Sequence, residues 1–263
     1  MPERRVIVHA GFHKTGTTPA QHYLRAKSKH IYPRSALVFP VHLANGAARM
    51  AIRYSRFKTA ALLDQFGDDL RAVLTTVEPK NRCVLITDEK LAGRMPGRDG
   101  HTGYEATPAL MARAEDMICD VFGHEADVVF LFTKRNHSDW LRSTYTHNLR
   151  TTRLVMDEAE YMQTYASAAN LVDVTEAVAK AVTGTVYTIY LEDLAHADEN
   201  PARPLIDLIE LPAHLRKHLK PDDVMNKGPD DMLIDDLLAL NRAGLSDAAL
   251  ITAKADHLKR AQT

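Results

Sequence analysis

Short apolar runs alternate with longer segments of helical period along most of the chain. The short runs are rich in β-branched residues and are bounded by glycine, proline or polar residues, which predicts strands at 5–9, 35–39, 82–87, 126–133 and 185–191. Between and after them, apolar residues recur three or four positions apart, which predicts helices. The predicted helices cover 17–29, 43–54, 59–77, 107–122, a segment that starts at Asn136 or Ser138, 157–169, 170–183, 201–210, 212–219, 230–242 and 246–260.

This alternation predicts the fold class. Strands that follow one another through helices form a parallel sheet with right-handed crossovers and helices on both faces. We therefore expect a three-layer α/β fold with a mainly parallel five-stranded sheet and a helical C-terminal region. The 263 residues suit a single domain, 1–263. The fourth run is apolar throughout and predicts a strand in the middle of the sheet, and the fifth is also expected to belong to the core.

A glycine-bounded loop follows the first strand, Gly11-Phe-His-Lys-Thr-Gly-Thr-Thr18. A strand that turns through two glycines into a helix at Thr17 or Thr18 directs several backbone N–H groups to one point, which suits a phosphate or a sulfate. The spacing of Gly11 and Gly16 matches the nucleotide phosphate loop, but that motif has Lys and then Ser or Thr directly after its second glycine. Here Thr17 takes the lysine's position, and Lys14 lies two residues before Gly16.

Charged residues follow the third and fourth predicted strands. Asp88 and Glu89 come after the third, and Lys134 and Arg135 come after the fourth. Because parallel α/β sheets bind ligands at the carboxyl ends of their strands, we expect these residues at the same edge as the loop. Glu89 is either functional or a solvated acid, and Asp88 is a candidate helix cap. The polar, glycine-rich segment 93–103 is expected to close over this edge.

Composition argues against several classes of protein. The 33 basic and 34 acidic residues nearly cancel, so we expect no nucleic-acid partner. No apolar run is long enough to span a membrane, and the chain enters its first strand without an apolar export segment, which predicts a cytoplasmic protein. The 13 histidines show no spacing typical of metal ligands, so we expect no metal site.

The glycine-bounded loop resembles the 5′-phosphosulfate loop of the sulfotransferases that use 3′-phosphoadenosine 5′-phosphosulfate (PAPS). The resemblance is to bacterial, carbohydrate-sulfotransferase-like members and implies their fold, which is related to that of the P-loop NTPases. It implies that Lys14 contacts the oxygen that bridges phosphate and sulfate. The loop residues that it assigns to the donor are Phe12, His13, Lys14, Thr15, Gly16, Thr17 and Thr18.

The segment from Phe132 to Tyr145 resembles the 3′-phosphate motif of the same family. In that motif an arginine is followed eight residues later by a serine, so the resemblance assigns the 3′-phosphate to Arg135 and Ser143. The family often has Asp-Pro after the arginine, where this chain has Asn-His. A basic loop of the family corresponds to residues 226–229 and gives Lys227 a similar contact.

The resemblance also implies a catalytic base. In the carbohydrate sulfotransferases a similar third strand ends in a glutamate that takes the proton of the acceptor hydroxyl, which here is Glu89. Other branches of the family use a histidine, and His13 is the alternative base. Lys14 would then stabilise the charge on the leaving phosphate, so the three catalytic candidates are Lys14, Glu89 and His13.

The sequence thus favours transfer of a sulfuryl group from PAPS to a hydroxyl or an amine of a small-molecule or glycan acceptor, without a metal. The first alternative is a P-loop nucleotide kinase-like phosphotransferase. It is supported by the spacing of the two glycines, by Thr18 as a magnesium ligand and by the acids after the third strand. The second alternative is a non-catalytic nucleotide-binding protein, which would use Arg135 but would have no role for Glu89.

Overall fold

A parallel sheet lies at the centre of the molecule. The computed structural model describes residues 4–78, 83–98, 100–166, 170–194, 200–219 and 231–260. Its strands are β1 Arg5–His9, β2 Ser35–Val38, β3 Cys83–Thr87, β4 Asp127–Lys134 and β5 Thr185–Tyr190. They are arranged in the order β2-β3-β1-β4-β5, and all neighbours are parallel. The predicted α/β fold class with a five-stranded sheet is confirmed.

Helices cover both faces of this sheet. They are α1 Thr17–Ala26, α2 Ser28–Ile31, α3 Pro40–Leu43, α4 Ala47–Phe57, α5 Ala60–Thr75, α6 Thr107–Phe122, α7 His137–Thr151, α8 Glu158–Tyr165, α9 Leu171–Ala181, α10 Arg203–Ile209, α11 Ala213–Arg216, α12 Asp231–Arg242 and α13 Asp247–Arg260. Short 3₁₀ turns span Glu89–Ala92, Leu191–Leu194 and Asn200–Ala202. The predicted helix 17–29 is divided at Lys27 into α1 and α2.

Alternation of side chains along the strands creates two hydrophobic cores. In β1, Val6 and Val8 point to the face covered by α4 to α9 and α12, whereas Ile7 points to the face covered by α1, α2 and α10. All three side chains are fully buried, because β1 has a strand on each side and helices above and below. This three-layer packing explains why the interior strands lack polar residues at most positions.

The register brings the carboxyl ends of the central strands together. His9, the last residue of β1, is level with Thr87 of β3 and Leu131 of β4. The backbone N–H of Asp88 continues the ladder by donating to the His9 carbonyl at 3.2 Å. The segments that follow β1, β3 and β4 therefore start at one edge of the sheet, as predicted.

The fifth strand differs from its prediction. β4 lies between β1 and β5 and is buried, but β5 is an edge strand of the described sheet. Tyr187 and Tyr190 are 49% and 39% exposed, so the prediction that this strand belongs to the core is wrong. The Tyr190 ring instead faces the Lys134 ammonium, whose nitrogen lies 4.8 Å from the ring centroid.

Among the described helices, none has the length and the apolar composition needed to cross a membrane.

Candidate active site

The loop after β1 forms an open cradle of backbone N–H groups. Three of its residues have left-handed backbone angles, with φ of 45° at Gly11, 69° at Lys14 and 92° at Gly16. Gly16 precedes α1, and no side chain caps that helix. Within the described part of the chain, the N–H groups of residues 14–18 donate to no acceptor. Consecutive unpaired N–H groups at a helix start are a binding site for an anion.

Buried side chains join this loop to β4. The Thr15 hydroxyl donates to the Phe12 carbonyl at 2.7 Å and is hydrogen-bonded to the Thr133 hydroxyl at 3.2 Å. The Thr17 hydroxyl lies 3.4 Å from the same carbonyl. The Phe12 ring is fully buried and packs on Phe132, with ring centroids 5.2 Å apart. These side chains stabilise the loop conformation, whereas the side chains of Lys14 and Thr18 are exposed to solvent.

His9 joins the three central strands under the loop. Its Nδ1 is 2.9 Å from the Thr87 hydroxyl, and its Nε2 is 3.4 Å from the Thr133 hydroxyl. Burial lowers the pKa of His9 to about 4, so the ring is neutral near pH 7. A neutral imidazole has one donor and one acceptor, and the two threonine hydroxyls satisfy both.

His13 is fixed by two aromatic residues. Its backbone N–H donates to the Tyr104 hydroxyl at 3.2 Å, and the same hydroxyl lies 3.0 Å from its Nδ1. Trp140 Nε1 donates to the His13 carbonyl at 2.9 Å. Burial raises the pKa of Tyr104, so its hydroxyl keeps its proton near pH 7. When that hydroxyl donates to Nδ1, neutral His13 carries its own proton on Nε2, and that nitrogen is then a donor.

The pKa of His13 indicates that its ring is neutral. Burial, together with the positive charges of Arg98 and other nearby cations, lowers the pKa of His13 to about 3. A ring with this pKa and with Nδ1 already hydrogen-bonded is a weak proton acceptor at neutral pH.

Glu89 and Asp88 have separate roles at the end of β3. Asp88 Oδ1 accepts a hydrogen bond from the Lys90 N–H at 2.9 Å and so caps the 3₁₀ turn, as predicted. Burial raises the pKa of Asp88 to about 6. Glu89 is half-buried, and its Oε2 accepts a hydrogen bond from Gln21 Nε2 at 3.3 Å. Gln21 also donates to the Thr87 hydroxyl, at 3.4 Å, and thereby holds Glu89 against the sheet.

Lys14 lies among other cations. Desolvation by the surrounding protein lowers the pKa of its ammonium, and the charges of Arg150 and Arg135 lower it further. Arg135 follows β4, and its Nε is 3.8 Å from Glu192 Oε1, to which the Asn136 N–H also donates at 3.1 Å. Positive charges beside the unpaired N–H groups of this loop favour a bound anion.

One face of α7 is directed at the loop. Trp140, Ser143, His147 and Arg150 are spaced by three, four and three residues and so share a helix face. The Trp140 hydrogen bond to His13 joins this face to the loop. Burial and the charges of Lys14, Arg98 and Arg150 lower the pKa of His147 to about 4. Ser143 is half-buried on the same face and forms no hydrogen bond with Arg135 within the described structure.

Residues 96–98 pack against α7. Arg98 Nε donates to Asn148 Oδ1 at 3.0 Å, and its Nη2 donates to the Thr151 hydroxyl at 2.6 Å. Asn148 Nδ2 donates back to the Pro96 carbonyl and to the Tyr161 hydroxyl, both at 3.1 Å. These bonds place the Arg98 charge near His13 and His147. Lys227 and the segment 226–229 lie outside the described residues.

Gly97→Ala is expected to destabilise the fold by about 3 kcal/mol. Gly97 has φ of 82°, and an added Cβ would lie 2.5 Å from Asn148 Nδ2 and 2.6 Å from the Tyr161 hydroxyl. The cost combines about 1–2 kcal/mol of backbone strain with the displacement of two buried polar groups. Gly100→Ala is the matched control, because Gly100 has φ of 77° and a Cβ added there would have no described atom within 4 Å. Urea unfolding of both variants measures the difference, and equal losses would contradict the close packing at Gly97.

Comparison with known proteins found a similarity in structure alone. No protein-family model matches the chain, and no curated protein matches its sequence. The crystal structure described as a sulfotransferase from Alicyclobacillus acidocaldarius has a similar chain path. The similarity covers 99% of this chain and 95% of that chain, with 15% sequence identity and a TM-score of 0.48. The function is therefore argued from the site's own residues.

The structure brings most of the predicted residues together. Lys14, His13 and Glu89 lie around the same loop and turn, and Arg135 lies at the neighbouring strand end. Sequence reasoning missed Tyr104, Arg98, His147 and Arg150. The three-four-three spacing after Trp140 was a signal for the last two. Tyr104 and Arg98 lie in an irregular segment, where periodicity gives no signal.

Proposed function

We propose that this chain is a PAPS-dependent sulfotransferase that transfers a sulfuryl group to a hydroxyl or an amine of a small-molecule or glycan acceptor. One observation carries the proposal. The loop that carries Lys14 has unpaired N–H groups at residues 14–18, and the charges of Arg150 and Arg135 add to desolvation in lowering the pKa of the Lys14 ammonium. This arrangement is suited to a ligand with several negative charges.

The residues present fit the PAPS donor. The N–H groups and Lys14 would hold the 5′-phosphosulfate, and Arg135 with Ser143 would hold the 3′-phosphate. Arg135 is 31% exposed, and its 3.8 Å contact with Glu192 is too long for a strong ion pair. A phosphate can therefore replace Glu192 as the partner of the guanidinium without breaking a short hydrogen bond.

Three side chains of the protein would stabilise negative charge and move the proton in this reaction. The bound donor supplies the sulfuryl group. Lys14 would neutralise the charge that develops on the leaving phosphate. Glu89 would accept the acceptor's proton, since Gln21 holds its carboxylate at the same sheet edge. His13 would donate from Nε2 to an oxygen of the anionic group, because its Nδ1 is occupied by Tyr104.

The kinase-like alternative has one supporting observation. Asp88 Oδ2 is buried at the end of β3 and has no hydrogen-bond partner among the described residues. The raised pKa of Asp88, about 6, makes this carboxyl a weaker cation ligand. Thr17, at the position of the kinase lysine, is buried with its hydroxyl directed to the Phe12 carbonyl. The site therefore favours sulfuryl transfer.

Arg135→Gln tests the second phosphate site. Adenosine 3′,5′-bisphosphate (PAP), the product of PAPS, differs from AMP by the 3′-phosphate alone. We expect the wild type to bind PAP more tightly than AMP by roughly tenfold or more, the scale of a hydrogen bond to a charged group. Arg135→Gln should remove this preference and leave AMP binding unchanged.

Calorimetry with both nucleotides measures the preference, and Arg142→Gln is the control. Arg142 is an exposed arginine of α7 whose Nε lies 3.4 Å from Glu158. An Arg135→Gln protein that still prefers PAP to the wild-type extent would refute the role of Arg135.

A further inference from the structure

Glu192 lies at the candidate 3′-phosphate site, in a position that suits an anion. Its Oε1 is 3.8 Å from Arg135 Nε and accepts a hydrogen bond from the Asn136 N–H at 3.1 Å. Asn136 is the N-cap of α7, so this N–H belongs to the positive end of a 15-residue helix. A guanidinium and a helix N-terminus are groups that bind phosphate, and here the protein's own carboxylate lies against both.

The turn that carries Glu192 is packed, whereas the Glu192 side chain is accessible. Glu192 belongs to the 3₁₀ turn Leu191–Leu194, which directly follows β5. Leu194 is buried, and a Cβ added to Gly16 would lie 2.7 Å from Leu191 Cδ1, so the turn packs on the glycine of the loop. The Glu192 side chain is 43% exposed. Its carboxylate can therefore turn to solvent by rotation about side-chain bonds while the backbone of the turn stays in place.

Two roles for this carboxylate predict opposite effects of its removal. A carboxylate that orients the arginine for a phosphate would strengthen nucleotide binding, whereas one that takes the place of the phosphate would weaken it. The distance of 3.8 Å between Glu192 and Arg135 is longer than the roughly 2.8 Å of a charge-assisted hydrogen bond, so Glu192 does not fix the guanidinium. A 3′-phosphate bound by Arg135 would also repel a carboxylate at this distance. The geometry therefore agrees with competition.

We infer that Glu192 fills the 3′-phosphate position of the free protein and competes with the nucleotide for Arg135 and the Asn136 N–H. This inference rests on the proposed function and adds a regulatory residue to the same site. When a nucleotide binds, its 3′-phosphate accepts from the Asn136 N–H and the Glu192 carboxylate turns to solvent. The protein then binds PAPS and PAP more weakly than its cations alone would, which favours release of the product PAP.

Glu192→Gln tests the competition, because it removes the negative charge and keeps the size of the side chain and its acceptor oxygen. Calorimetry gives the dissociation constants of PAP and of AMP, which lacks the 3′-phosphate. We expect Glu192→Gln to bind PAP about threefold to tenfold more tightly than the wild type, the scale of one partly exposed ionic contact. Its affinity for AMP should be unchanged. Unchanged or weaker binding of PAP, or an equal gain for AMP, would overturn the inference.

Asp193→Asn is the matched control, because Asp193 is the next acid of the same turn and is exposed. It removes the same charge and should leave PAP affinity within about twofold of the wild type. An equal gain in both variants would assign the effect to net charge and would overturn the competition.

A double variant tests whether Glu192 acts through Arg135. In an Arg135→Gln background, Glu192→Gln should change PAP affinity by less than about twofold, since no guanidinium is left to compete for. A gain as large as that in the wild-type background would contradict the inference while the proposed function stands. If PAP binds to neither the wild type nor Glu192→Gln, the proposed function fails and this inference fails with it.

Discussion

Lys14→Ala is expected to reduce turnover by about 100-fold or more and to leave the fold intact. The reason is electrostatic: Lys14 lies on the loop itself, where the proposed function places the charge that develops as the sulfur–oxygen bond breaks. Loss of one preorganised group of this kind costs about two to three orders of magnitude in kcat. Single-turnover formation of PAP from PAPS, with an acceptor found by a screen with labelled PAPS, measures the effect, and thermal unfolding is the check on folding.

Lys58→Ala is the matched control for this variant. Lys58 is also an exposed lysine with a left-handed backbone, with φ of 48° against 69° at Lys14, but it follows α4. Both variants therefore change the same side chain in similar backbone conformations. Wild-type turnover in Lys14→Ala would remove Lys14 from the mechanism, and an equal loss in Lys58→Ala would show that the effect is not specific to the loop.

Glu89→Gln is expected to lower turnover by about 100-fold or more and to spare PAP binding. The substitution preserves size but removes the ability to accept a proton, and general base catalysis contributes about two to four orders of magnitude. Gln21 holds the side chain at this position in the wild type, so the amide is expected to occupy the same place. Single-turnover kinetics with an acceptor found by a screen with labelled PAPS and calorimetry with PAP measure the two effects.

His13→Gln provides the comparison for Glu89. The Tyr104 hydroxyl occupies His13 Nδ1, and the lowered pKa of about 3 keeps the ring neutral, so this variant should lose only a hydrogen-bond donor. We expect a loss of about tenfold. Full activity in Glu89→Gln with a much larger loss in His13→Gln would assign the base to His13.

The positions of the strands along the chain were predictable from the sequence because they follow from local patterns. The apolar run before Gly11 predicted β1 at its observed bounds, and the side chain of Asn136 caps α7 by accepting from the Ser138 N–H at 3.2 Å. The order of strands is not a local property, however. Val186 and Ile189 are three residues apart and pack on the cores of opposite sheet faces, and only the sheet topology shows that β5 lies at an edge.

The glycine-bounded loop was predictable, but its surroundings were not. Gly11, Lys14 and Gly16 are close in sequence, so their spacing carries the signal. Arg98 is distant in sequence from α7, and only the structure shows that it binds Asn148 and Thr151. The proposal of Glu89 and not His13 as the base also required the structure, because it rests on the hydrogen bond between His13 and Tyr104.

A PAPS site formed by the loop and Arg135 is tested by a calorimetric titration of the wild-type protein with PAP in the presence of EDTA, compared with ATP in the presence of magnesium. PAP is expected to bind without a divalent metal and at least about tenfold more tightly than ATP with magnesium. Magnesium-dependent binding of ATP in preference to PAP would contradict it.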